Sequence, residues 1–460
     1  MQDMPHARFH RARRWLGESW VQILEPGNVP ALSRLALRAT VVGGLTGLAA
    51  ASFRLLLGGA SLLRNDLIAW GHPYWWGLPL VIVVCGLATA AAASLVHRVE
   101  PHAEGSGIPR VEAVIEGRSE PGSPRILPVK YVGGLLSMGA GLALGREGPS
   151  VQMGGNAAII VAKLSRSSRD DLQILVAGGA AAGLATAFSA PIAGGVFVLE
   201  ELVKRFEPRT TLCTLIATAS GFASAHLLLG EAGSDFQTIA FDPPQLRQAG
   251  WVLLVGLICG GLGVGYNALI MGGLRLADAS RIPVEIRAGA IGVGIGCIAW
   301  FAPWLVGSGD NLTQDALMGR GTLGVVLGVL AVRVVLGVVS YAALTPGGLF
   351  APMLVLGSYL GLSVGLVAQN LDSHAPEAAG LALIGMAAFF TASVRAPVTG
   401  IVLASEMTGS TTLLTPTLGA CAVAMLVAMV MRSEPVYDLL TTRAVRNARA
   451  NRLDRDPPGE

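Results

Sequence analysis

Charge is what this sequence has least of. Asp, Glu, Lys and Arg make up 14% of its 460 residues, against about 25% in an average soluble domain. With 52% hydrophobic residues and a mean hydropathy of +0.58, the chain cannot hide its apolar surface from water, which excludes an ordinary soluble globular fold. Cysteine is scarce as well. The five present (Cys85, Cys213, Cys259, Cys297, Cys421) stand singly in apolar runs, with no pair at metal-ligand or redox spacing, and read as small core residues. The seven histidines are scattered and form no H-E-x-x-H pattern, so neither a metal site nor a cofactor is expected. A net charge of +3 is too small to call for nucleic acid, and no nucleic-acid partner is expected.

What the chain does have is long uncharged apolar runs. Trp76 to Val96, Trp251 to Ile270 and Leu413 to Met431 are each about 20 residues long, enough to cross a hydrocarbon core of roughly 30 Å. Backbone polar groups in lipid must be satisfied internally, and these even runs favour helices over the alternating signature of a barrel. The first span is expected near Ala31. Before it lie Arg8, Arg11, Arg13 and Arg14, then Glu18, Pro26 and Pro30, an order unlike a cleaved signal peptide. Arg443, Arg446, Arg449 and Arg452 follow the last span. The positive-inside bias places both termini in the cytoplasm and makes the number of crossings even.

The sequence repeats itself once. Ala190-Pro191-Ile192-Ala193-Gly194-Gly195 running to Glu200 matches Ala396-Pro397-Val398-Thr399-Gly400-Ile401 running to Glu406. Gly145-Arg146-Glu147-Gly148-Pro149, with Gly154 beyond, aligns with Gly348-Leu349-Phe350-Ala351-Pro352 and Gly357. The expected architecture is an all-α polytopic membrane protein of two homologous halves, roughly 31–230 and 243–432, joined by the polar stretch Gly233 to Gln245. If each half has an odd number of spans, the halves are inverted. A basic segment, 1–30, precedes this domain; a final short helix, 435–446, closes it, and 447–460 form a short tail.

Many of the 60 glycines serve close helix packing. Three breaks share a further design: Gly105-Ser106-Gly107-Ile108-Pro109, Gly145-Arg146-Glu147-Gly148-Pro149 and Gly347-Gly348-Leu349-Phe350-Ala351-Pro352. Each can start a helix, because proline loses nothing in the first turn and glycine lets free amides approach a bound ion. Irregular backbone at membrane depth survives where protein buries it or where it lines a wet cavity. Each helix start offers an anion roughly 0.3–2 kcal/mol, and each charge-assisted hydrogen bond roughly 1.5–3. Together these offset much of the desolvation cost without a full positive charge that would hold the ion too firmly. The Ser106 hydroxyl is the natural side-chain donor, with Tyr437 as a second. A small inorganic anion, chloride first, is the expected cargo.

These residues resemble the CLC chloride channels and proton-coupled chloride transporters. GSGIP (105–109), GREGP (145–149) and GGLFAP (347–352) look like the family's three signature motifs in order, and the likeness extends through AAAGLATAFSAPIAGGVFVLEEL (180–202), ASVRAPVTGIVLASEMT (392–408) and SEPVYDLL (433–440), covering about 31–446. The resemblance implies a homodimer with one pathway per subunit. It also implies an anion held by amides near Gly107, Ile108, Leu349 and Phe350, with Ser106 and Tyr437 completing the shell. Nitrate-preferring members carry Pro in place of Ser106, and fluoride-specific ones depart from the Ser and Tyr pattern, so chloride is favoured here. Arg110 departs from relatives, which commonly carry a polar or acidic residue there. The basic form, with too few residues after Tyr437 for nucleotide-sensing domains, suggests a bacterial inner membrane.

Two carboxylates carry the expected proton chemistry. Glu147 stands at a helix start and can imitate the anion it displaces; protonated, it loses its hold on the amides and swings away. In the resembling family this glutamate is the external gate. An acidic pair ending an apolar segment, Glu200-Glu201, is costly unless paired or wet. Proton-exchanging relatives use the second acid as internal acceptor, which maps to Glu201; Glu200 and its counterpart Glu406 read as structural, pairing with helix ends or basic side chains. Chloride/proton exchange is therefore expected, with a passive voltage- or pH-gated chloride channel as the alternative. An enzyme is the remote one. Gly307-Ser308-Gly309-Asp310 and Tyr437-Asp438 mimic the GxGD and YD pairs of intramembrane aspartyl proteases, but in reverse order, and Asp310, Asn311, Thr313, Gln314 and Asp315 read as a polar loop.

Overall fold

In the computed structural model, residues 29–230, 236–238, 241–242 and 245–455 are described, and among them the regular structure is helical, without strands. The first half contains α1 (Val29–Gly71), α2 (Gly77–Arg98), α3 (Ile108–Ile115), α4 (Ile126–Gly139), α5 (Glu147–Leu164), α6 (Arg169–Ala187), α7 (Pro191–Phe197) and α8 (Pro208–Leu229), with a π-helical turn, Val198–Leu202, after α7. The second contains α9 (Ala249–Ala279), α10 (Val284–Phe301), α11 (Asp310–Leu317), α12 (Leu323–Tyr341), α13 (Phe350–Leu371), α14 (Ala378–Val394), α15 (Pro397–Thr408) and α16 (Leu414–Val430), and α17 (Val436–Arg455) closes the chain. Seven of these helices carry an apolar window long enough to cross a bilayer: α1, α2, α8, α9, α10, α12 and α13. At 1.5 Å per residue, the 43 residues of α1 extend about 65 Å, so this helix must tilt or project beyond the hydrocarbon.

Helices apolar on every side belong inside. All of α14 is buried, as is nearly all of α13 and most of α5 and α6. Each pair crosses at glycines. A Cβ on Gly154 would collide with the Gly179 carbonyl, and one on Gly357 would lie 2.5 Å from that of Gly385. The repeat partners Gly154 and Gly357 thus do the same work in both halves, letting an inner helix touch its neighbour backbone to backbone.

The acids of the repeat also match. Glu406 accepts hydrogen bonds from the free amides of Ile192 and Ala193 at the start of α7, at 3.0 and 2.6 Å. Glu200 accepts from Val398 and Thr399 at the start of α15, at 3.0 and 2.7 Å, and from the Thr399 hydroxyl. Each half therefore caps a proline-initiated helix of the other. Glu406→Ala is expected to cost roughly 1–3 kcal/mol of stability, read as a lower thermal midpoint of the purified protein in detergent.

Three expectations need correction. Residues 310–317 are a helix, not a polar loop: Gly309 takes a left-handed φ of 90° ahead of it, and Leu312, Thr313, Ala316 and Leu317 are buried at helical spacing. Arg443 is more than a topology signal. Only 9% exposed, it forks onto both carboxylate oxygens of Asp278 (2.8 and 2.7 Å) and onto Glu104 (2.8 Å). The closing helix also runs past 446, to Arg455. The N-terminal basic cluster and part of the Gly233–Gln245 stretch lie outside the described residues, as do the side chains of Arg449 and Arg452.

Candidate anion and proton site

The three breaks start three helices, α3, α5 and α13, and main-chain hydrogen bonds tie the breaks together. Gly145 and Gly348 exchange N–H···O bonds of 2.8 Å in both directions, while Gly105 donates to Thr345 (3.2 Å) and accepts from Gly347 (3.0 Å). Gly107 adopts a φ of 81° before α3 with Gln152 pressed against it, leaving no room for a side chain. Ser106 lies against Gly148, where a Cβ would meet the serine hydroxyl and its carbonyl.

Around this junction Ser106, Ile108, Glu147, Leu349, Phe350 and Tyr437 are all at most 1% exposed. Phe350 is wedged between Phe188, Phe197 and Phe390, with ring centroids at 4.9, 5.6 and 4.4 Å, which fixes the first amide of α13. The Tyr437 ring meets Phe197 edge-on at 6.3 Å. Neither the Ser106 nor the Tyr437 hydroxyl has a hydrogen-bond partner among the described residues, although leaving such a group unpaired when buried costs about 1–3 kcal/mol. Two orphan donors beside three helix starts suit a small, partly dehydrated anion. The Glu147 carboxylate bends back into this cluster and accepts from the Ala351 amide of α13 at 3.4 Å.

Two buried cations escaped the sequence reading, and both bind carbonyls. The Lys130 ammonium, fully buried, donates to Ala103 (3.0 Å), Glu104 (3.5 Å) and Gly105 (2.6 Å), filling its three donors and setting the turn ahead of Ser106. Arg333 donates to Leu305 (3.0 Å), Gly307 (2.8 Å) and Ser308 (2.8 Å). Each is the lone charge within its apolar helix, and an intramembrane ionisable residue is a functional candidate by default. Arg110 is turned away from the junction, donating to the Glu120 carbonyl at 3.0 Å.

Glu201 is buried on the π-helical turn that follows Phe197. The wider turn divides the acidic pair, Glu200 reaching α15 while Glu201 stays inside. Three residues on, Lys204 donates to Glu112 at 2.8 Å and Asp438 at 3.3 Å. Burial acts to lower the lysine's pKa, but these carboxylates outweigh it and hold it above its usual value. The contact joins the loop after Glu201 to the helix carrying Tyr437. Asp438 and Asp310 are not brought together as a protease pair would be: one is held by Lys204, the other by Arg146.

Two cavities reach sequence neighbours of Glu201 and Glu147, the first taking in Val203 and Lys204 and the second Arg146. One, about 770 Å³, is bordered by Glu116, Asp170, Lys204 and Arg209; the other, about 660 Å³, by Arg54, Arg64, Arg146 and Asp310. Helix α1 gives their placement. Its Arg38 pairs with Asp171, next to the first cavity, and its Arg54 and Arg64 line the second. Arg38 and Arg64 are separated by about 39 Å along the helix axis, so the cavities lie towards opposite ends of α1.

Fold and apolar spans together define an integral membrane protein in which three interrupted helices start at one buried junction. A family profile described as voltage gated chloride channel matches residues 86–429, and the chain belongs to that family. The H(+)/Cl(-) exchange transporter ClcA of Yersinia pseudotuberculosis serotype IB (strain PB1/+) is 35% identical over 448 residues, spanning 93% of this chain and 91% of that protein; the ClcA of Yersinia pestis is equally similar. Among solved structures, a slow cyanobacterial Cl-/H+ antiporter superposes with a TM-score of 0.85 at 30% identity, covering 90% of this chain and 98% of that one. A CLC-type fluoride/proton antiporter, at 22% identity and a TM-score of 0.73 over 88% and 96% of the two chains, shares the fold.

Proposed function

We propose that this protein exchanges chloride for protons across a bilayer. Ser106, Tyr437 and the amides at Gly107, Ile108, Leu349 and Phe350 hold the anion, Glu147 is the gate and Glu201 the internal proton relay. The observation that carries this reading is the pair of buried, unpartnered hydroxyls at the junction of three helix starts, with the Glu147 carboxylate already bonded to one of the same amide ends. The relatives named for H(+)/Cl(-) exchange support it. The cavity of Arg146 reaches the residue before Glu147, and that of Lys204 reaches within two residues of Glu201; in this reading the two open on opposite faces, and a proton and an anion entering from either side meet different carboxylates.

The reading extends to a homodimer with one pathway per subunit, lying in a bacterial inner membrane with both termini cytoplasmic, which makes the Lys204 cavity the internal one. It needs no cofactor and involves no enzymatic step. The test is flux in liposomes holding the purified protein: an imposed chloride gradient should drive protons uphill. Chloride movement with no accompanying protons would leave the passive channel of the same family.

A further inference from the structure

Arg443 has no part in the mechanism so far, although it joins three parts of the chain. From α17 its Nε and Nη2 donate to the two carboxylate oxygens of Asp278 near the end of α9, and its Nη1 donates to Glu104 at 2.8 Å. Glu104 stands two positions before Ser106, and Arg443 six positions after Tyr437. The Glu104–Arg443 ion pair therefore bridges the two segments that carry the hydroxyls of the anion site. It lies at most about 7 Å of chain from one and about 9 Å of helix from the other.

The two segments are held differently. Ahead of Ser106, the Lys130 ammonium takes the carbonyls of Ala103, Glu104 and Gly105, Gly105 bonds to Thr345 and Gly347 through its main chain, and the Ser106 amide donates to the Tyr341 hydroxyl at 3.4 Å. This turn is fixed without help from the Glu104 side chain. The end of α9 is braced as well, since Arg287 on α10 donates to the Ala277 carbonyl at 2.7 Å. The start of α17 has less to hold it. Val436, Tyr437 and Leu440 pack inward, and the Tyr437 hydroxyl has no partner among the described residues. One polar tie of this helix, Lys204 to Asp438, is 43% and 40% exposed, and exposed pairs hold little. Asn447 adds a bond to Asp278 at 3.5 Å. Arg443, only 9% exposed, supplies the forked, charge-assisted contact, which constrains direction as well as distance.

We propose that Glu104 and Arg443 are positioning residues of the anion site: their ion pair ties the Ser106 turn to the helix of Tyr437 and sets the spacing of the two hydroxyls that hold the anion. The proposal rests on the reading of Ser106 and Tyr437 as anion ligands. Asp278 anchors the guanidinium to α9, Glu104 draws it to the Ser106 turn, and Tyr437, on the same helix as Arg443, is held at one distance from Ser106. Without the Glu104 carboxylate, Arg443 stays on Asp278 but the tie to the turn is lost. A partly dehydrated anion then meets one well-placed hydroxyl instead of two, and misplacement of a binding group by a fraction of its bond length is costly.

The experiment is the chloride-concentration dependence of flux in liposomes for wild type, Glu104→Ala, Tyr437→Leu and the double variant. In Glu104→Ala the half-saturating chloride concentration should rise roughly five- to tenfold. In the Tyr437→Leu background the same change should add nothing, because the group that the ion pair positions is already gone. Glu104→Gln, close to the native side chain in size, takes the place of the alanine variant should that not purify. A role in stability alone would lower the maximal flux at unchanged half-saturation, and a role independent of Tyr437 would multiply the two shifts in the double variant; either result overturns the positioning role while leaving the anion site intact. Half-saturation in Tyr437→Leu equal to wild type removes Tyr437 from the site, and this inference with it.

Discussion

Glu147→Ala is expected to pass chloride without moving protons and without the wild-type dependence of flux on pH. The carboxylate accepts a hydrogen bond from the Ala351 amide at the head of α13, a donor that an anion in the path would otherwise claim. A charge-assisted bond of this kind is worth about 1.5–3 kcal/mol. Above the pH at which Glu147 ionises, removing the competitor should therefore tighten apparent chloride binding by roughly ten- to a hundredfold. Below it, the wild-type side chain is neutral, no longer competes, and the two proteins should converge. Calorimetric titration of chloride at two pH values checks the affinity, and liposome flux checks the protons. Equal chloride affinity in both proteins at high pH would mean that Glu147 does not sit in the anion's place.

Glu201→Gln should produce the complementary defect. Glutamine fills the same volume on the π-helical turn and keeps its polarity but cannot ionise, so proton movement should fall to background while chloride still passes. Because Glu201 is not among the groups proposed to hold the anion, chloride affinity should stay at the wild-type value and the pH dependence conferred by Glu147 should persist. Loss of chloride binding in this variant would instead place the residue in the packing of the anion site. Proton pumping that survives would require a different internal acceptor, and Glu112, salt-bridged to Lys204 two hydrogen bonds from Asp438, would be the next residue to test.

Local signals made much of this legible. The proline and glycine pattern marks where α3, α5 and α13 begin, since first-turn prolines and small residues are requirements of the backbone itself. The internal repeat is equally plain, and it aligns Gly154 with Gly357 and Glu200 with Glu406. Partners distant in the chain were harder. Lys204 and Glu112 are 92 positions apart and Arg443 and Glu104 are 339 apart; nothing in either neighbourhood names the other. Lys130 and Arg333 carry no sequence signal of their role, because the carbonyls each one binds lie 25 or more positions away in the chain. Helix α11 reads as a loop in the sequence because eight residues give a 3.6-residue period little room to appear among Asn311, Gln314 and Asp315.

The exchange of acids between the repeats bears on how such a chain could arise. Glu200 serves a helix of the second half and Glu406 one of the first, so a half-length polypeptide would leave its own proline-led segment unserved. Two copies of it, related by a twofold rotation, would satisfy each other at once. The present fused chain preserves that handshake, which is the contact an unfused ancestor would have needed most.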